Sequence, residues 1–299
     1  MNKRSRTLIA IGAAGILALS GCSTSAEPDA DSSAGNGDKK DITIAVFNGW
    51  DEGIAVSELW KAILDEKGYN AELEYADVAP VFSGLSTGDY DFTLDVWAPG
   101  THATYIEEYG DDTTDLGAWN EEAKLTIAVN EDAPIDSLAD LAANADEFNN
   151  RIVGIEPAAG LTAAVNDEVI PAYGLEDMEF LTSSTAAMLT ELTAATSAGE
   201  NIVVTLWQPH WVYTKVGIKN LEDPEGALGT AESIHAYGKS DFSTDFPQAT
   251  EWLGDFKMDL EQLGSLEKVM FVDYDGQDFG PIVAQWIEDN QEYVDSLTS

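Results

Sequence analysis

Cysteine is almost absent from this 299-residue chain. Cys22 is the only one, which excludes an intramolecular disulfide and a thiolate-rich zinc site. Histidine is nearly as scarce: His102, His210 and His235 are scattered without paired ligand spacing, so no metal is expected, and His210 and His235 are read as structural. Basic residues are few as well, with 14 Lys+Arg against 55 Asp+Glu and a formal net charge of −41. A surface this acidic repels phosphate backbones, which excludes nucleic acid as a partner. Beyond residue 6 the only arginine is Arg151, so a bidentate guanidinium clamp on an anion is hard to build. No apolar run after residue 40 is long enough to span a bilayer. P-loop, dinucleotide and Gly-x-Ser-x-Gly signatures are missing too, no carboxylate pair stands out as catalytic, and no cofactor is implied.

What the chain does have is a 44% hydrophobic content, enough for a sizeable core and too much for general disorder. Its first residues read as an address. Lys3, Arg4 and Arg6 precede a short apolar run from Leu8 to Leu19, the size of a signal-peptide core, so residues 1–21 are expected to be removed. Leu19-Ser20-Gly21-Cys22 resembles the lipobox of bacterial lipoproteins, which implies lipid attachment at Cys22. Residues 22–40, rich in Ser, Gly, Asp and Ala, read as a lipidated flexible tether. An extracytoplasmic protein anchored to the outer face of the cell membrane is the expectation. The acidity fits either solubility or adaptation to salt.

From Asp41 onward strand and helix patterns alternate. Strands are predicted at 42–47, 71–75, 90–96, 125–129, 151–155, 179–183 and 202–206. Helices are predicted at 54–66, 78–87, 135–143, 161–173 and 185–198. Such alternation argues for an α/β class with mainly parallel sheets.

The eight tryptophans then sort by position. Trp60, Trp252 and Trp286 lie in helical patterns and read as core, and Trp119 carries no signal. Trp50, Trp97 and Trp207 each close a predicted strand, in ITIAVFNGW, YDFTLDVW and NIVVTLW. Ligands of open α/β sheets bind outside the carboxyl ends of strands. Three indoles converging there suit a quaternary ammonium, which offers no hydrogen-bond donor and is recognised by the negative faces of rings at about 0.5–2 kcal/mol each. A fourth strand end, Arg151–Ile155, runs through Glu156-Pro157-Ala158-Ala159-Gly160-Leu161 into a helix. Its small residues and backbone N–H groups form a candidate carboxylate site. The two halves together suggest a zwitterion.

At these residues the chain resembles the substrate-binding lipoproteins of glycine betaine/proline betaine ABC importers. The likeness runs from about residue 41 to 290. It includes Gly49-Trp50-Asp51-Glu52, Val96-Trp97-Ala98-Pro99-Gly100-Thr101-His102, Gly154 to Gly160, Trp207-Gln208-Pro209-His210-Trp211-Val212, Leu221-Glu222-Asp223-Pro224 and Ser233-Ile234-His235. The resemblance implies a two-lobed periplasmic-binding-protein fold, a venus-flytrap of mixed, mainly parallel sheets flanked by helices. Lobe 1 would hold residues 41–128 plus 235–299, and lobe 2 residues 129–234. It implies that Trp50, Trp97 and Trp207 wrap the trimethylammonium, while His102 and the N–H groups of Gly160 and Leu161 hold the carboxylate. A membrane permease would be the partner, with no enzymatic step. Ala98 and Ala158 depart from the family pattern: Ala158 stiffens the backbone nest around the carboxylate, and Ala98 with Gly100 enlarges the cage rim, which leaves room for carnitine or proline betaine. A choline-preferring protein, a ligand sensor of the same fold, and an enzyme using His102 as base are the competing readings.

Overall fold

The computed structural model describes residues 37–299, all within one compact unit, Ser33–Ser299. The signal-like leader, Cys22 and most of the expected tether lie outside the described residues. The folded body begins before that tether was expected to end. Asp38 is buried, its carboxylate accepting hydrogen bonds from the Tyr69 hydroxyl (2.5 Å) and from the backbone N–H groups of Gln248 (2.9 Å) and Ala249 (3.0 Å). Lys39 pairs with Asp245.

Among the described residues nine strands form one continuous sheet: β1 (Asp41–Phe47), β2 (Asn70–Ala76), β3 (Phe92–Ala98), β4 (Thr113–Asn130), β5 (Arg151–Val153), β6 (Glu179–Leu181), β7 (Val203–Gln208), β8 (Ile218–Asn220) and β9 (Glu232–Lys239). Their order is β2-β1-β3-β9-β4-β7-β5-β6, with β8 also paired to β4. The flanks are parallel, β1 with β2 and β3, and β5 with β6 and β7, whereas the middle pairings of β4 and β9 are antiparallel. The alternating βα pattern thus yields the expected α/β class, with parallel flanks joined by an antiparallel centre. β4 makes the join. Its first half pairs with β9 and its second with β7.

Burial explains which strands were visible in the sequence. β3 is buried along nearly its whole length and β1 over its last four residues, as expected for sheet strands covered on both faces, and both read as apolar runs. β4 starts at Thr113, twelve residues before the predicted strand, because bulges around Asp115/Gly117 and Ala118/Asn120/Ala123 break its alternation.

Helices α1 (Asp51–Glu66), α2 (Val78–Thr87) and α3 (Ala103–Tyr109) cover the first flank. The predicted 161–173 helix is one helical stretch in three parts: α4 (Gly160–Ala164), a π turn (Val165–Val169) and α5 (Ile170–Tyr173). Pro171 at the start of α5 has no N–H to return to the preceding turn, and the widened turn accommodates this. Helix α6 (Thr185–Ala198) starts at the Ser184 cap, which accepts the Ala187 N–H, and stops at left-handed Gly199. The predicted helix at 135–143 is instead two 3₁₀ segments, Leu138–Asp140 and Ala142–Phe148. After β7 come α7 (Val212–Lys215), α8 (Phe242–Asp245), α9 (Pro247–Asp255), α10 (Leu260–Glu267), α11 (Gly280–Asp289) and α12 (Gln291–Ser296).

Trp60 and Trp286 are core, and Trp252 packs at the core edge against Tyr69. Trp119, silent in the sequence, is buried, stacks on Phe256 and donates to the Leu94 carbonyl (2.6 Å). Removing the Asp38 carboxylate in Asp38→Ala should destabilise the protein by about 2–3 kcal/mol, because two backbone N–H groups and a phenol lose their acceptor. Urea unfolding measures this, and a loss below about 0.5 kcal/mol would show that the body is not anchored at this residue.

Candidate functional site

The carboxyl ends of β1, β3 and β7 and the turn after β5 face one small cavity. Its wall includes Trp50, Trp97, His102, Gly160, Leu161 and Trp207, all six residues singled out in the sequence. Thr101, Leu125, Ile155, Ala159 and Glu52 complete it. The three indoles are buried, with 3–7% of their surface exposed, so a ligand there meets rings stripped of water, where a cation gains most from them.

The wiring of His102 sets its chemistry. The turn Trp97–His102 folds back so that the Trp97 N–H donates to His102 Nδ1 (3.0 Å) and the His102 N–H donates to the Trp97 carbonyl (3.1 Å). With Nδ1 used as an acceptor, the ring proton sits on Nε2, and Nε2 has no partner. Burial pushes the imidazolium down to about 3, so the ring is neutral at ordinary pH. His102 therefore faces the cavity as a hydrogen-bond donor and not as a base. The Glu232 carboxylate holds this turn in place, accepting from Gly100 N (2.9 Å), Thr101 N (2.9 Å) and Thr101 Oγ1 (2.6 Å).

Gly160 is placed beside the same turn. A Cβ there would lie 2.0 Å from the Thr101 carbonyl oxygen, so only glycine permits this approach. The first-turn N–H groups of α4, Gly160 and Leu161 among them, have no intrahelical acceptor. Residues of both segments line the same cavity. Nearby, the Trp50 indole N–H reaches Glu156 (3.5 Å), whose carboxylate also accepts from Thr185 N (2.7 Å) and Thr185 Oγ1 (2.9 Å).

The remaining histidines, His210 and His235, do not line this cavity. His210 repeats the His102 arrangement, with Nδ1 accepting the Val212 N–H (3.1 Å) and burial holding the ring neutral. His235, on β9, contacts Asp115 (3.0 Å).

Two functional candidates escaped sequence reasoning. Glu52 sits in the first turn of α1, where acids are common for helix-terminus reasons, yet it is buried and lines the cavity. Asp95 is buried in the middle of β3 and accepts the Trp97 indole N–H (2.8 Å). The available signal was an acid inside an apolar strand, two residues before Trp97 and so on the same face. Burial, reinforced for Glu52 by neighbouring acids, pushes both carboxyls well above their ordinary range, and Glu267 of α10 up to about 8.

A cavity walled by the strand ends of a two-flanked α/β sheet defines the class: a solute-binding protein of the periplasmic type. Residues 40–289 match the family described as the substrate binding domain of ABC-type glycine betaine transport systems, and the chain belongs to that family. Lactococcal OpuAC, in its closed-liganded conformation with glycine betaine, shares the fold with a TM-score of 0.80 at 29% identity, over 87% of this chain and all of that one. The glycine/betaine/L-proline-binding protein ProX of Borrelia burgdorferi gives 0.81 at 27% identity, over 87% of this chain and 97% of that one. The glycine betaine/carnitine transport binding protein GbuC of Listeria monocytogenes serotype 1/2a (strain 10403S) is 36% identical over 168 residues, 56% of this chain. That match spans about half, 54%, of GbuC.

The buried groups set a pH dependence of stability for the empty protein. Glu52, Asp95 and Glu267 have raised folded values, so their contribution is complete below the unfolded value of about 4.5 for Glu or 3.8 for Asp and is lost as pH rises through the folded values, about 8 for Glu267. His102 and His210 have lowered values, about 3 against 6.5, so their contribution is lost as pH falls below 6.5. The melting temperature should therefore be higher near pH 6.5 than near pH 8.5. The reverse order in thermal melts would mean that these carboxyls ionise without cost.

Proposed function

We propose that this chain is the extracytoplasmic receptor of an ABC importer and binds glycine betaine or a related quaternary ammonium osmolyte for osmoprotectant uptake. A lipid on Cys22 would hold it at the outer face of the membrane, where it delivers ligand to a permease. The observation that carries this reading is a single buried cavity faced by three indoles and by an imidazole N–H that has no protein acceptor. The indole faces suit the trimethylammonium. His102 Nε2 and the backbone N–H groups of Gly160 and Leu161 suit the carboxylate. Lobe 1 (41–128 plus 235–299) supplies Trp50, Trp97 and His102, and lobe 2 (129–234) supplies Gly160, Leu161 and Trp207. A ligand gripped from both sides favours the closed form, as in hinge-closing receptors.

The reading includes no chemical step. A base is what a demethylating or cleaving enzyme would need, and His102 has its only lone pair occupied by the Trp97 N–H. The relatives fit the proposal: OpuAC is complexed with glycine betaine, and GbuC is named for glycine betaine and carnitine.

Calorimetry with glycine betaine, carnitine and choline tests it. Trp207→Ala should weaken glycine betaine binding at least tenfold, roughly 1.4 kcal/mol, and an unchanged affinity would remove Trp207 from the cage. Choline keeps the ammonium but lacks the carboxylate, so His102→Ala should cost glycine betaine at least about tenfold and choline little. Equal losses for both ligands, or choline binding to the unaltered protein as tightly as glycine betaine, would overturn the zwitterion assignment.

A further inference from the structure

Behind the indoles lies an acidic pocket that the proposed ligand contacts leave unexplained. Glu52 lines the cavity at 1% exposure, and its Oε2 has no hydrogen-bond partner. Asp95 gives one oxygen to Trp97. Its other, Oδ2, is pressed so close to α1 that a Cβ on Gly53 would sit 2.4 Å away, and it has no partner. Glu267 of α10 is equally buried, with Oε1 unpartnered. Among the described residues no Lys or Arg forms an ion pair with any of the three. The paired bases are committed elsewhere, Lys39 and Lys239 to Asp245, Lys61 to Asp65, Arg151 to Glu191, Lys219 to Asp136 and Lys268 to Asp273.

The groups around Glu52 come from every element packed on it, and none of them is positive. β3 contributes Asp95 and α10 contributes Glu267. Its own helix contributes Asp51, which accepts the Trp211 indole N–H and lies 3.9 Å from His210 Nε2. β7 contributes the Trp207 indole, whose N–H faces the Glu52 carboxyl and favours its ionised form, against the larger effects of burial and the adjacent acids. His102 and His210 are neutral rings. An ionised carboxylate in such surroundings is strongly disfavoured, and the neutral acid is the stable form. Burial and the adjacent acids act in that direction on Glu52.

We infer that Glu52 is the counter-charge for the cationic end of the ligand: protonated in the empty protein, it releases one proton to solvent when a quaternary ammonium enters the cavity. The inference rests on the ligand class proposed above. Of the three carboxyls only Glu52 lines the cavity, so it gains most from a cation placed there. Once it is ionised, its charge makes ionisation of Asp95 and Glu267 harder, so one proton leaves and not three. The arrangement also selects for charge, because a neutral ligand of the same shape leaves Glu52 protonated and gains nothing from it.

Proton release makes affinity rise with pH, by about tenfold per pH unit at the steepest. Glycine betaine is a zwitterion with no net charge, so its binding is insensitive to the growing negative charge of the whole protein. Its own carboxylate keeps its charge across the neutral range. The test is calorimetry of glycine betaine binding from about pH 5.5 to 8.5, repeated at one pH in phosphate and in Tris, whose ionisation enthalpies differ widely. The expected result is a Kd that tightens at least tenfold across this range. The binding enthalpy should also shift between buffers by the amount for about one proton released, with both effects flattened in Glu52→Gln. A Kd independent of pH with equal enthalpies in the two buffers would overturn the proton release and leave the betaine receptor standing. Undiminished linkage in Glu52→Gln would overturn the assignment to Glu52. Absence of any glycine betaine binding would overturn the ligand class and this inference with it. The buffer comparison needs no variant, so a misfolded Glu52→Gln does not blunt it.

Discussion

A polar group taken out of water must find a partner or raise the free energy of the fold, and the ends of β1, β3 and β7 leave several such groups facing one space. His102 Nε2 and Glu52 Oε2 line the cavity without partners, and Asp95 Oδ2 lies behind it in the same condition. Apart from Thr101 and Gly160, the rest of the wall is aromatic or aliphatic. An N–H donor and an acid, set into apolar walls and unable to satisfy each other, describe by their own chemistry what would complete them: an acceptor for the one and a cation for the other. The zwitterion reading and the proton inference are two consequences of that incompleteness.

Rigidity around the cavity makes the unpaired atoms meaningful. His102 is oriented by the Trp97 N–H, its turn is held by Glu232, and Gly160 is pressed against Thr101. Trp97 is tied to Asp95, and Trp50 reaches Glu156, which Thr185 anchors. Side chains fixed in this way lose little freedom when a ligand arrives, and such preorganisation lets a small cavity bind tightly. Most of the fixing groups are carboxylates, which is one use the chain makes of its acidity.

Much of the α/β pattern was legible in the sequence because sheet strands covered on both faces appear as apolar runs and helices as periodic ones. It failed where local rules were overridden. The first half of β4 hid behind bulges, the 135–143 segment is tightly wound 3₁₀, and Asp38 looked like linker while being an anchor for three donors. At the cavity, the indoles and His102 stood out by residue type and by their positions at strand ends. Glu52 and Asp95 did not. Among 55 acids, nothing in composition separates a solvated carboxylate from one sealed beneath an indole.

The sequence by itself determined the class of fold, the acidic balance that excludes nucleic acid, and the residue types able to face a methylated cation, because these follow from periodicity, net charge and the chemistry of single side chains. Only the tertiary structure decided that those side chains face one cavity, that the His102 proton sits on Nε2, and that Glu52, Asp95 and Glu267 lie buried without a base. Tautomer and burial depend on neighbours distant in the chain. The physical state of these groups is set by what packs against them and not by what precedes or follows them.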